Sequence, residues 1–165
     1  MAETHLTAAR LRELLSYDPE TGIFTWRVNR RRIRAGSAAG HIYPRGYRCI
    51  RVDGRDYKAH RLAWLHIHGM WPVHRIDHID CIRDDNRIFN LRDVTMSVNN
   101  QNRHKAAASS TSSFLGVSFC RTQQKWIASI KASGHTRYLG AFPTPEEAHV
   151  VYLAAKLLHH PGYMP

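Results

Sequence analysis

Leu11, Leu14 and Leu15 recur at the three- and four-residue spacing of one helical face. With Thr7 placed to cap it, this pattern predicts a short amphipathic helix over residues 4–16. Asp18-Pro19-Glu20-Thr21-Gly22 then reads as a turn, and Ile23–Val28 (IFTWRV) as a strand. Tyr47–Val52 and Arg55–Lys58 flank Asp53-Gly54, a favoured two-residue hairpin turn. Ala59–His68 has helical character, with Leu62, Trp64 and Leu65 serving the core, and stops at Gly69 ahead of Trp71-Pro72. A further short helix, capped by Thr95, is expected to run to about His104.

The pattern changes after residue 104. Small and polar side chains over 105–112 mark a linker. Three strands follow at 114–119, 125–131 and 136–142, with turns at Thr122-Gln123-Gln124 and Ala132-Ser133-Gly134. Thr144-Pro145-Glu146-Glu147 combines a capping threonine, a proline at the first helical position and a glutamate three residues past the cap. Ala148, Val151, Tyr152, Ala155 and Leu158 then form one apolar stripe. Alternation turns Trp126, Ala128, Ile130, Val117, Phe119 and Leu139 toward that stripe. Ser118, Lys125, Ser129, Lys131 and Tyr138 point away from it. The expected fold class is α+β, with one domain over 1–104 and a second over 113–165.

Composition narrows the partners. The 165 residues carry a net charge of +11, and twelve histidines add more below neutral pH. Such a surface attracts polyanions, so nucleic acid is the first partner to consider, and the double-stranded DNA partner follows only from the resemblances given below. Arg30, Arg31 and Arg32 lie in a basic run over 29–34 that fits a phosphate contact or a solvated loop equally. Cys49, Cys81 and Cys120 are odd in number and far apart, which argues against a disulfide framework and a four-cysteine zinc site. The first residues contain acidic side chains and no long apolar run, so neither a secretory signal nor a membrane span is expected. A reducing, cytoplasmic compartment is the default.

The candidate chemistry centres on Arg75-Ile76-Asp77-His78-Ile79-Asp80, followed by Asn90 and Asn99. Cutting a phosphodiester needs an activated water, charge stabilisation at phosphorus and help for the leaving oxygen. A neutral histidine near its working pKa suits the first task. A hard cation bound by oxygen ligands suits the other two. The expected roles are His78 as general base, Asp77 and Asn99 as ligands of one Mg2+ or Mn2+, and Asn90 as the tie that aims His78. Asp77 and His78 are adjacent, and strand neighbours face opposite ways, so both serve one site only if the strand ends or twists there. Arg103, four past Asn99, would share its helical face and hold a phosphate. Zinc is a weaker alternative: His60, His66, His68, His74 and Cys81 match no tetrahedral ligand pattern.

Tyr57–Trp64 (YKAHRLAW), Gly69-Met70-Trp71-Pro72, Ile76–Asp80 (IDHID), Asp85-Asn86-Arg87, Asn90-Leu91-Arg92 and Asn99–Asn102 (NNQN) resemble the HNH homing endonucleases of bacteriophages over residues 10–104. The resemblance implies a ββα-metal core, magnesium-dependent cleavage leaving a 5′-phosphate, and the same four residue roles. It also implies a phage-encoded protein acting in the host cell, with Arg61 among the residues near DNA. The chain departs from the classical motif in two places. Asn99 stands where the last histidine is usual, as in the phage branch with an asparagine ligand. Cys81 stands where a glycine usually follows Asp80.

Residues 113–160 resemble an AP2 DNA-binding domain. The matching pieces are Gly116–Phe119 (GVSF), Lys125–Ile130 (KWIASI), Tyr138–Phe142 (YLGAF) and Thr144–Ala148 (TPEEA). The resemblance implies a three-stranded antiparallel sheet packed on one helix, with the sheet laid in the major groove. Ser118, Arg121, Lys125, Ser129, Lys131, Arg137 and Tyr138 are then the candidate DNA contacts. Several arginines that plant AP2 domains use on bases are missing, so positioning on phosphates is favoured over base readout. A lone HNH site cuts one strand at a time, so a monomer or weak dimer that nicks is expected. A non-cleaving DNA-binding regulator and a low-specificity packaging or repair nuclease are the alternatives.

Overall fold

The structure, a computed structural model, describes residues 6–106, 110 and 112–165. It divides into two compact units, Met1–Thr95 and Met96–Pro165. The expected linker at 105–112 lies past that division, and residues 107–109 and 111 fall outside the described residues.

In the first unit, helix α1 (Ala8–Leu14) is capped by Thr7, whose hydroxyl accepts from Arg10 N at 3.2 Å. The helix is shorter than its periodicity predicts. Leu15 adopts extended backbone and opens strand β1 (Leu15–Tyr17), which pairs antiparallel with β2 (Phe24–Trp26). The three apolar side chains still share one core, because a strand starting at Leu15 buries Leu15 and Tyr17 and exposes Ser16. Residues 37–39 run beside β2, with Ala39 N donating to Phe24 O at 2.7 Å.

Strand β3 (His41–Ile42) pairs with β4 (Arg48–Val52), and β4 pairs with β5 (Arg55–Lys58). The β4–β5 turn is Asp53-Gly54, with φ of 47° and 83°, the left-handed pair that a tight hairpin requires. Helix α2 (Ala59–His68) ends at Gly69, whose φ of 76° closes the helix. Strands β6 (Arg75–His78) and β7 (Leu91–Val94) form a two-stranded ribbon, with a single 3-10 turn at Ile88–Asn90 before β7. Leu11, Leu15, Phe24, Ile50, Val52, Leu62, Ala63 and Leu65 fill the core of this unit.

The second unit starts with α3 (Met96–Gln101). Strands β8 (Val117–Cys120), β9 (Lys125–Ala132) and β10 (His135–Phe142) form an antiparallel sheet in the order β10-β9-β8. Helix α4 (Pro145–His159) follows, with the Thr144 hydroxyl accepting from Glu147 N at 3.3 Å and Pro145 in the first turn. Val117, Ala128 and Ala148 form one buried cluster; Ile130, Tyr152 and Ala155 form another. Gly116 has φ of 76°, and a Cβ there would stand 2.0 Å from the Tyr152 ring, so glycine is required for this close approach. Phe119 is a partial exception to the predicted alternation. It packs on Trp126 with ring centroids 5.0 Å apart but remains 39% exposed at the sheet edge. No helix among the described residues is long and apolar enough to cross a membrane.

Candidate active site

The β6–β7 ribbon places the central pair. Asp77 lies opposite Arg92 and His78 opposite Leu91. Both Asp77 and His78 are buried. Asp77 Oδ2 accepts from Arg92 Nε at 3.0 Å and Nη2 at 2.8 Å, a cross-strand ion pair. His78 is the last residue of β6.

Beyond His78 the chain turns sharply. Cys81 N donates to His78 O at 3.0 Å, and Ile82 N to Asp80 Oδ1 at 2.8 Å. Cys81 has φ of 61°. This is the left-handed region that glycine adopts most readily, and Cys81 makes the turn with a side chain present. The strain costs about 1 kcal/mol.

Asn90 spans the loop that follows. Its Oδ1 accepts from Asp80 N at 3.0 Å, and its Nδ2 donates to Asp80 Oδ1 and Asp85 O, each at 2.9 Å. Its own carbonyl accepts from Ile79 N at 2.9 Å. Other anchors reinforce the same loop. Arg48 holds both oxygens of Asp84 at 2.9 Å, Tyr17 Oη donates to Asn86 O at 2.7 Å, and Arg83 Nη1 donates to Arg45 O at 2.8 Å. Arg87 grips the Asp85 carboxylate and holds its pKa down to about 2, with Asp80 contributing.

The His78 ring sits in an aromatic setting. His60 meets it edge to face, with centroids 5.0 Å apart and an angle of 89°. Tyr47 lies 5.3 Å from His60 and 6.0 Å from His78 by ring centroid. Burial pushes the His78 imidazole pKa down, and the Asn86 hydrogen bond and the charges of Asp80, Asp77 and Asp85 oppose that shift. His60 is pushed further, to about 3, first by burial and then by His78, Lys58 and Arg61. Two neutral imidazoles therefore face each other at neutral pH, and His78 is able to accept a proton.

Other predicted residues are placed differently. Asn99 is half-buried on α3, in the second unit. Arg103 does not share its helical face. The helix ends at Gln101, Arg103 N bonds to Asn100 O at 3.4 Å, and the buried Asn102 side chain is held by Met164 N, so the chain has left the helix before Arg103. The histidines of the zinc alternative are dispersed. His66 lies against Tyr17 and Phe24, His68 against Trp64, and Cys81 is exposed. Among the described residues no three His, Cys, Asp or Glu side chains are grouped to hold a metal ion.

The basic candidates divide as well. Arg31 and Arg32 are exposed at the tip of a tight turn closed by Arg30 and Ile33, which exchange both backbone bonds at 2.9 Å. Arg30 stacks over Trp26 at 4.8 Å and pairs with Asp53 at 3.4 Å. Arg61 lies over Trp71 at 5.5 Å. On the sheet, Ser129 pairs with Tyr138, Lys131 with Thr136, Ser118 with Ile127 and Lys125 with Cys120. Residues directly opposite share a face, so these line the side away from α4. Arg137 is opposite the buried Ile130 and so stands on the other face, a correction to its grouping with Lys131. Arg121 sits in the β8–β9 turn.

His60, Tyr47 and Arg92 were not assigned to the site from sequence. His60 had one available signal: its spacing to Ala59, Leu62 and Ala63 puts it on the buried face of α2. Arg92 becomes visible only through the register that sets it opposite Asp77.

Residues 57–101 match the family model of the HNH endonucleases. Comparison with the curated proteins and with the solved structures gives no match. The match runs from the last two residues of β5 through α2, the β6–β7 ribbon and α3. Residues 57–101 are thus similar to the HNH endonucleases, which supports a nuclease acting on DNA.

Proposed function

We propose that this protein is a homing-type HNH endonuclease that hydrolyses phosphodiester bonds of double-stranded DNA, nicking one strand per active site. The observation that carries the reading is the buried, neutral His78 at the end of β6, set beside Asp77 and a loop closed by Asn90. His78 takes a proton from the attacking water. Asn90 keeps the loop compact so that the imidazole is aimed. His60 packs edge to face on the His78 ring and limits its rotation.

The donor set fits a hard divalent cation, Mg2+ or Mn2+. Asp77 would contribute a carboxylate oxygen, and Asn99 an amide oxygen. Such a cation would neutralise charge developing on the phosphate and the leaving oxygen. Arg92 holds one carboxylate oxygen of Asp77 and orients the group for that task. The exposed Arg31 and Arg32 in the first unit would offer the duplex one surface, and Ser118, Lys125, Ser129, Lys131 and Tyr138 on the open face of the β8–β10 sheet would offer another in the second unit. An AP2-like role for this sheet rests on the matched sequence pieces and on the three-strand, one-helix arrangement. We further infer that the protein is phage-encoded and works in the host cytoplasm.

Relaxation of supercoiled DNA tests this reading. Purified protein should convert it to the open-circular form with Mg2+ and leave it intact with a chelator, while filter binding shows DNA bound in both. Binding without metal-dependent nicking on cognate phage DNA would instead identify a DNA-binding regulator.

A further inference from the structure

Helix α3, the bearer of Asn99, is only six residues long and buries none of its side chains. A helix this short does not hold itself together. The C-terminal segment of the same unit supplies the contacts. Gly162 N donates to Gln101 Oε1 at 2.9 Å, and Met164 N to Asn102 Oδ1 at 3.3 Å. A Cβ on Gly162 would stand 2.4 Å from Val98 O and 2.7 Å from Val98 Cγ1, so the absence of a side chain lets this backbone lie against the helix. Lys156 is 1% exposed. Its Nζ donates to the Arg103 carbonyl and lies 3.9 Å from the Tyr163 ring centroid. The Tyr163 ring meets His104 at 5.2 Å.

The return of the chain is itself fixed. Tyr163 N donates to His160 O at 2.9 Å, and the His160 Nε2 atom bonds to Lys131 O at 2.9 Å. These bonds tie the segment to the end of β9. A buried ammonium is costly unless it is compensated, and here a carbonyl and an aromatic face compensate it beside the end of α3. The HNH match, at 57–101, crosses the division between Thr95 and Met96. The last helix of the matched segment therefore folds with the C-terminal unit.

We propose that Lys156 and residues 161–164 are positioning residues that clamp α3, so that the C-terminal unit sets the orientation of the Asn99 amide and with it metal loading. This rests on the reading of Asn99 as a cation ligand. The clamp orients a ligand from outside the coordination sphere, a role whose loss typically costs 10- to 100-fold in metal affinity.

Two variants of the full chain test it: removal of residues 161–165, and Gln101→Ala, which deletes one clamp bond and leaves the sheet and α4 untouched. Hydrogen exchange reads the clamp directly. In both variants the α3 amides should exchange at least about tenfold faster, while β8–β10 amides keep their protection. Mn2+ binding, followed by loss of the free-ion electron paramagnetic resonance signal, should weaken by about tenfold or more. Nicking should fall at low Mn2+ and recover at high Mn2+, with DNA affinity unchanged. Unaltered α3 exchange, or unaltered Mn2+ affinity in Gln101→Ala, would overturn the clamp. A wild-type chain that binds no Mn2+ would overturn the ligand reading itself.

Discussion

Mild acid should destabilise the first unit through His60, before most carboxylates titrate. His60 is 5% exposed, and burial beside His78, Lys58 and Arg61 pushes its pKa from 6.5 to about 3. Folded His60 therefore binds fewer protons than unfolded His60 between those values. Its contribution to stability is intact above pH 6.5 and declines as pH falls toward 3. One pKa unit corresponds to about 1.4 kcal/mol, and unfolded His60 is already half protonated at its own pKa, so lowering the pH from about 6.5 to about 4.5 should cost about 2.3 kcal/mol from this group. That is a large share of the stability of a small unit. Asp18, Asp53 and Asp85 have pKa values held below the usual carboxylate range by their hydrogen-bonded partners, so their effect comes at lower pH. Urea unfolding at several pH values, read by Trp26, Trp64 and Trp71 fluorescence, measures the loss. The His60→Phe variant keeps an aromatic ring against His78 and has nothing to protonate. Its stability should fall less over the same window, by about 2 kcal/mol. His66 and His78 are also pushed down by burial, so some slope remains in both proteins. Parallel pH curves for the two proteins would refute the reasoning.

Two further outcomes follow from single contacts. Asn90→Ala removes three side-chain hydrogen bonds across the 80–90 loop; at about 1 kcal/mol each, it should cost about 3 kcal/mol in urea unfolding and at least about tenfold in nicking rate. An unchanged nicking rate would show that the loop does not aim His78. Gly116→Ala places a Cβ 2.0 Å from the Tyr152 ring at a backbone φ of 76°. It should destabilise the second unit by at least about 2 kcal/mol, seen as an earlier Trp126 transition, while the first-unit tryptophans keep their midpoint.

Local chemistry was the legible part of this fold. Asp53-Gly54, Gly69 and Thr144-Pro145 each impose a backbone geometry by themselves, and the turn, the helix end and the helix start fall where those residues stand. The short pairings were harder to read. Strand β1 was hidden inside a helical leucine pattern, because Leu15 suits either the helix face or an inward strand position. Strands β3 and β7 are set by pairing partners, not by their own two or four residues. Helix α3 was expected to reach His104, since nothing local announces that Met164 and Lys156 hold the chain out of the helix after Gln101.

The site shows the same division. The run of Asp77, His78, Asn90 and Asn99 stands out in the sequence because the proposed chemistry needs those residue types at a short separation. The partners that set its electrostatics were not. His60 comes from α2 and Tyr47 from the segment before β4, and only tertiary packing brings their rings to His78. Cys81 is the instructive case: a glycine was the expected residue, and the backbone takes the glycine conformation regardless.

The most direct test of the account is single-turnover nicking of cognate DNA with Mg2+ by wild type and His78→Ala, at protein concentrations that saturate the DNA. Loss of a general base predicts a rate at least about a hundredfold lower in the variant, with DNA binding retained. Equal rates in the two proteins, with metal dependence intact, would contradict it and move the proton-accepting role away from His78.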